Sequence, residues 1–434
     1  MLPPRVEVHY LLKFFSCRDF HSDIFCVRIE ILIPKKRLSE FNMIANFVRL
    51  GLVLLISGAL GVPGLAGGKP EVIWGGLAIS SSGAEAMAPV AVSLINCNNP
   101  SAAGTCPIED IAKAMVLDAS FEQISVKNTY AEDRVSYLIS AVIDAERVSS
   151  VVLGEGDERY VYQFLILGSL VVYEVSPQET ILLSSVPVSV YADRYFRNRL
   201  SKDQQSNMIK SMYLELESYK GKVGYYNFFR NLIDKAEPVL ERPLKFGSGV
   251  QFTKVSFSDS AAEILSSVND LDQLSNLFAT WATANLSEAS GQPIIPATLG
   301  ANNLKLVFRD AEMTIVLPEP LYEFDMHVQA LDTYKNSSYT CFDVAAYYGV
   351  RVFDDLVLDA PIQHGNDSCA FLEGGSAVSA EIYPANLLAQ IQQVMFGFSP
   401  QVDDWEYIKS HIVQDRKAVL NGFSKVRKDV LNGN

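Results

Sequence analysis

Residues 159–196 read RYVYQFLILGSLVVYEVSPQETILLSSVPVSVYADRYF. Two long runs rich in β-branched and aromatic residues flank Ser176-Pro177-Gln178-Glu179, and turn formers between such runs predict a hairpin of a half-buried antiparallel sheet. Just upstream, Val135, Leu138, Ile139, Val142, Ile143 and Val148 fall at helical spacing and predict an amphipathic helix over 131–149. Earlier still, EVIWGGLAIS (71–80) and APVAVSLINC (88–97) read as strands, IEDIAKAMVLD (108–118) as a short helix and FEQISV (121–126) as a short strand. Strands and helices interleaved in this way place the chain in the α+β class, built from two-layer α/β units.

Downstream of the hairpin, residues 201–219 and 223–240 are expected to be helical. Pro238, Pro243 and the glycines of KFGSGVQF then mark a boundary near 247. Beyond it the pattern begins again. FEQISVKNTYAED from Phe121 and FTKVSFSDSAAEI from Phe252 align at an offset of 131. In each a short strand leads into a capping box, Thr129-x-x-Glu132 and Ser260-x-x-Glu263, in which hydroxyl and carboxylate satisfy free amides at a helix start. The second helix would run through Leu265, Leu271, Leu274, Phe278 and Trp281, and strands follow in NLKLVFR, EMTIVL, YEFDMHVQALDTY and SYTCFDVAAYYGVRVF. The expected organisation is an upstream segment 1–42, a signal peptide 43–66, a first α/β domain with a helical extension 67–246, a second α/β domain 247–383 and C-terminal helices 384–434, with an internal duplication of the two domains.

The segment MIANFVRLGLVLLISGALGVPGLA (43–66) has one positive charge at Arg49, an apolar run from Leu50 to Leu60, then Pro63 and small residues ending at Ala66. That is the order of a cleaved secretory signal, and the run falls short of the ~20 residues a spanning helix needs. The alternative is an uncleaved anchor or a buried helix. Residues 1–42 precede the signal, which the simplest account attributes to an upstream start and the alternative to a long translated n-region. Export to a bacterial-type periplasm, or secretion, is expected, with membrane contact only through an uncleaved signal segment. Cysteine usage agrees: Cys97, Cys106, Cys341 and Cys369 lie beyond the signal in two close pairs, expected as the disulfides Cys97–Cys106 and Cys341–Cys369, with free thiols or a metal as weaker alternatives. The Cys97–Cys106 loop, NCNNPSAAGTC, is rich in turn formers.

With 434 residues, 49% hydrophobic content and a net charge of −14 from scattered acids, the chain reads as globular with an acidic surface, and nucleic acid is not an expected partner. No catalytic constellation is legible. His327, His364 and His411 lie far apart and none adjoins a nucleophile elbow. SSSGAE from Ser80 and EGGSA from Glu373 are small-residue turns, and LGEGDERY from Leu153 lacks the lysine of a phosphate-binding loop. Carboxylates at Glu155, Asp157, Glu158, Asp354, Asp355, Asp403 and Asp404, and aromatics at Tyr225, Tyr226, Phe228, Phe229, Tyr347 and Tyr348, are candidates for a cleft, or else rim and core. No cofactor or metal is expected.

QFLILGSLVVYEVSPQETILLSSVPV (163–188), with Gly168 near its middle, and LFATWATANLSEASGQPIIPATL (277–299), where a helix ends in a loop holding Pro293 and Pro296, sit in the order strand, helix, paired long strands. This order resembles the small periplasmic α/β domain shared by the N-terminal part of TolB and the curli-type secretion channel lipoprotein, which also occurs in flagellar ring accessory proteins. The resemblance covers two stretches of about 100 residues and implies no catalytic motif. The lipobox cysteine of the channel lipoproteins is missing, which argues against a membrane-anchored pore. The expected function is a non-enzymatic exported protein acting through contacts with other envelope proteins or itself. The alternative is an exported enzyme or ligand-binding protein with a cleft between the two domains; a deep cleft with carboxylates in its wall would favour the second over the first.

Overall fold

The long runs of residues 159–196 lie in the middle of the larger sheet. In the computed structural model, which describes residues 11–15, 26–30 and, from 69 on, all but short stretches (the longest 98–103, 129–135, 154–158, 241–248 and 372–381), the chain divides into two units, 1–68 and 69–434. In the first, β1 (Leu11–Phe15) and β2 (Cys26–Glu30) pair antiparallel. The expected signal segment, the Thr129–Glu132 capping box and the boundary near 247 lie outside the described residues. The second unit is α+β, with two mixed sheets.

Its first sheet begins with β3 (Glu71–Ser80), which pairs parallel with the short edge strand β4 (Ser125–Lys127) and with β5 (Ser136–Leu153). From β5 the chain meanders antiparallel through β6 (Arg159–Val175) and β7 (Thr180–Phe196), the expected hairpin, with Gly168 opposite both Ile143 and Val188. A Cβ at Gly168 would run into the Val142 carbonyl and the Phe228 ring, so only glycine lets helix and strand meet there.

Two expectations are corrected here. The segment over 131–149 is not a helix where it is described: β5 covers 136–153. Leu138 and Val142 point to one face and Ile139, Ala141 and Ile143 to the other, each in its own core. A strand buried on both faces loses its alternation, and two apolar parities together imitate an i, i+3, i+4 stripe. Conversely, the expected strand 88–97 is mostly helix. After α1 (Ala84–Met87), α2 (Pro89–Ile95) starts on a proline and receives the Glu146 carboxylate on the amides of Val90 and Ala91 at 2.9 and 2.8 Å. That tertiary anchor overrides β-branched propensity. With α3 (Pro107–Asp118), α4 (Lys202–Leu214) and α5 (Phe228–Leu240), α2 covers one face of the sheet. A two-rung ladder, β8 (Ser218–Tyr219) with β9 (Lys222–Val223), lies between the last two helices.

The second sheet repeats the same path. β10 (Val250–Phe257) leads through α6 (Asp259–Ser266) and α7 (Leu271–Ser290); after a further hairpin come β13 (Tyr322–Lys335), β14 (Tyr339–Val352) and β15 (Asp355–His364), again parallel for the first pair and antiparallel for the rest. The two halves therefore share one topology, but not at the offset of 131. Phe121 precedes the edge strand β4, whereas Phe252 lies in β10, which occupies the place of β3. The cap of α6 is Ser258, whose hydroxyl accepts from Ala261 N, not Ser260. The single helix expected through Leu265 and Trp281 is interrupted because Asp270 caps a new one, accepting from the amides of Asp272 and Gln273.

The hairpin between α7 and β13, β11 (Asn303–Val307) with β12 (Glu312–Val316), leaves its own half. β11 pairs with β3 and β12 with β7, so β3, β5, β6, β7, β12 and β11 close into a ring. Ala78, Leu138, Val142, Val171, Leu182, Leu306 and Ile315 fill its interior, and the Ser140 and Tyr173 hydroxyls hydrogen-bond inside it at 3.0 Å. Past the ring, α7 packs against β6 and β7 on one side and β10 on the other, which explains a helix buried nearly all round. On the second sheet α7 is joined by α8 (Ile382–Phe396): Trp281 Nε1 donates to Leu388 O, and the buried Gln390 donates to Val344 O and Ile362 O while accepting from Tyr348. Beyond α8 the expected C-terminal helical region forms two further helices, α9 (Glu406–His411) and α10 (Arg416–Asn432), separated at Asp415, which has a positive φ and accepts from Ala418 N. A last short strand, β16 (Cys369–Phe371), pairs with β14.

Candidate functional site

A bulge decides where the site lies. In β5 the register slips between Ile143 and Ala145, so Asp144 is left without a cross-strand partner. Its carboxylate meets Ser80, at the end of β3, and Ser169, in the middle of β6, whose hydroxyl donates at 3.4 Å. Burial pushes the Asp144 pKa from 3.8 to about 6, with the two serine hydrogen bonds opposing the rise.

Asp144 lies in the wall of a cavity of about 610 Å3 at the mouth of the strand ring. Helix α7 contributes Asp272, Ser275, Asn276, Thr280 and Thr283, the loop after α7 Pro296, Ala297 and Thr298, and the hairpin Asn303, Leu304 and Lys305. The loop is held by buried Gln251, whose Nε2 donates to Pro296 O at 3.0 Å and Thr298 Oγ1 at 3.1 Å. Lys305 is paired with Glu312 at 2.6 Å. The lining is thus rich in hydroxyls and amides and carries two carboxylates against one neutralised ammonium.

The Cys97–Cys106 disulfide is formed and holds the start of α3. Cys106 N donates to Glu109 Oε2 at 2.7 Å, and Arg309, in the turn of the β11–β12 hairpin, contacts Glu109 at 3.2 Å and donates to Gly104 O. The clasp ties the ring-closing hairpin to the disulfide loop. Cys341 is also disulfide-bonded, and the β14–β16 register sets it opposite Cys369.

Of the residues singled out from sequence, few reach the cavity. Ser80, in a stretch read as a plain turn, lines it. Glu155, Asp157, Glu158, Asp354, Asp403, Asp404 and Tyr225 lie outside the described residues, and Asp355 starts β15 away from the cavity. Phe228, Phe229 and Tyr348 are core. The histidines sit on separate elements. His327 Nδ1 is 3.0 Å from Ser256 Oγ on the second sheet, and His411 stacks on Tyr407. Among the described residues there is no cluster of three or more potential metal ligands. Sequence reasoning missed Asp144; the available signal was an acid inside the apolar run AVIDAE (141–146), legible only once that run is read as a strand.

The chain matches no protein-family model and no characterised relative.

Proposed function

We propose that the protein is an exported, non-enzymatic binding protein that holds a small polar ligand in the cavity between its two sheets. The observation that carries this reading is the cavity: about 610 Å3, within the range of small-molecule sites, with hydroxyl, amide and carboxylate groups contributed by both halves. The serines beside Asp144 donate to it, and among the described residues no histidine lines the wall. That arrangement favours holding a ligand over nucleophilic chemistry. Support for export comes from the signal-like order of residues 43–66 and from the disulfides, which persist in oxidising compartments.

Thermal-shift measurements against a panel of small polar solutes test the binding reading. A rise in Tm with at least one solute, abolished in Thr280→Trp, which fills the cavity, is expected. No rise with any solute overturns it. Mass spectrometry of the exported protein is expected to give a chain starting at Gly67; an intact species from Met1 overturns the cleavage.

A role in an envelope assembly, with other envelope proteins or a second copy as partners, is favoured by one separate observation. Tyr191 and Tyr195, near the end of β7, are 47% and 75% exposed, a placement common in contact surfaces. The resemblance to the TolB and curli-channel domains points the same way. Loss of a cross-linked partner in a Tyr191→Ala, Tyr195→Ala variant would support it; unchanged cross-linking would count against it.

A further inference from the structure

Two carboxylates, two residues apart on β5, have opposite surroundings. Glu146 is half-buried and receives three donors from the chain itself: the amides of Val90 and Ala91 at 2.9 and 2.8 Å and the Tyr213 hydroxyl at 2.9 Å. It is a structural peg. Among the described residues Asp144 receives the hydroxyls of Ser80 and Ser169, the second at a long 3.4 Å. Among the described residues no basic side chain lies within ion-pair distance of it, and the ammonium in the same wall, Lys305, is engaged by Glu312 at 2.6 Å. An ionised carboxylate has about four acceptor positions. Two neutral donors leave half of that capacity, and all of the charge, unanswered at the edge of a cavity.

We propose that Asp144 is the anchor for a protonated primary amine on a small hydroxyl-bearing ligand, such as an amino sugar; this rests on the reading of the cavity as a ligand site. Three features select that class. The uncompensated charge calls for a cation, because a neutral donor would leave it buried and unpaired. The free acceptor positions call for N–H bonds, which a quaternary ammonium lacks. Among the described residues no aromatic ring lines the cavity, so the described wall offers none of the cage that recognises quaternary ammonium groups. The rest of the ligand faces Ser275, Asn276, Thr280 and Thr283, which match hydroxyls rather than an apolar skeleton.

Isothermal titration of the full-length protein with glucosamine, N-acetylglucosamine, glucose and choline tests this. Glucosamine is expected to bind at least tenfold more tightly than the other three at pH 7.5. That advantage should fall at least tenfold in Asp144→Asn, and also in the wild type at pH 5, where the amine keeps its charge while the carboxylate loses its own. Circular dichroism checks that Asp144→Asn is folded. Equal binding of glucosamine and its N-acetyl form, or an unchanged advantage in Asp144→Asn, overturns the amine anchor while leaving the cavity as a ligand site. If none of the four binds to wild type, the anchor is overturned; the wider solute panel with Thr280→Trp then decides separately whether the cavity binds anything.

Discussion

The two halves follow one chain path and differ in what happens to one face of each sheet. In the first, the face opposite the helices is closed by the β11–β12 hairpin supplied from the second half, and its residues form a buried, mostly apolar interior. In the second, the corresponding face carries Asp325, His327, Ala330, Tyr347 and Arg351, all partly accessible, with the Asp325–Arg351 ion pair lying across it. The same topology thus makes a closed ring once and an open face once. A sheet of this kind does not by itself enclose a site; the cavity exists because one half gives away a hairpin and a helix to the other. Asp144 sits where that gift ends.

The largest contrast comes from placing a charge at equivalent faces. Val142→Asp in β5 puts a carboxylate inside the ring, where Val142 is fully buried, and is expected to destabilise by about 4 kcal/mol or more. Ala330→Asp in β13, on the open face, is expected to change stability by less than about 1 kcal/mol. Urea unfolding of both variants checks the difference, and comparable losses would mean that the second face is also covered.

Next in size is the peg that holds the first half's helices. Glu146→Ala removes the acceptor from two amides and a buried tyrosine hydroxyl, at an expected loss of about 3 kcal/mol. Glu146→Gln keeps an acceptor and should lose less, as urea midpoints would show. A smaller loss, about 2 to 3 kcal/mol, is expected for Cys97→Ser with Cys106→Ser, because the bond closes a short loop at the start of α3. The second half, stapled separately at Cys341, should resist reductant differently, which amide exchange of β6 against β14 under increasing reductant would resolve.

How much of this was legible follows from locality. The β6–β7 hairpin, α3, α4, α5 and the strands β10, β13 and β14 of the second sheet are written in short-range patterns, and the sequence identifies them. So is the Cys97–Cys106 disulfide, between cysteines only nine positions apart. β5 was misread because burial on both faces erases the period-two signal, and α2 because its helical state depends on Glu146, more than 50 residues away. Ring closure depends on two rungs between β11 and β3 and one between β12 and β7, pairings between residues more than 130 positions apart. The shared topology of the two halves is visible in sequence only as a loose echo, and matching strand-like hexamers place it at the wrong offset. Asp144 was illegible for the same reason: its neighbours come from Ser80, Ser169 and the span 272–305, brought together only by the fold.

The smallest expected effect has the opposite sign. Asp144 has a pKa near 6 in the folded protein against 3.8 for an ordinary aspartate, so the folded state holds the proton more tightly than the unfolded chain. Stability therefore falls as pH rises from about 4 to about 6, and the full penalty is present above 6. Asp144→Asn removes an ionisation that the cavity wall disfavours and should raise stability by about 2 kcal/mol at pH 8, an allowance made for the partial exposure of the site, while leaving it nearly unchanged at pH 4. Denaturation midpoints of the two proteins at both pH values measure this. Parallel curves would show that the carboxylate is better solvated than its position implies. A gain confined to high pH would mark Asp144 as a residue retained at a cost to stability, in contrast to Glu146, whose replacement only weakens the fold.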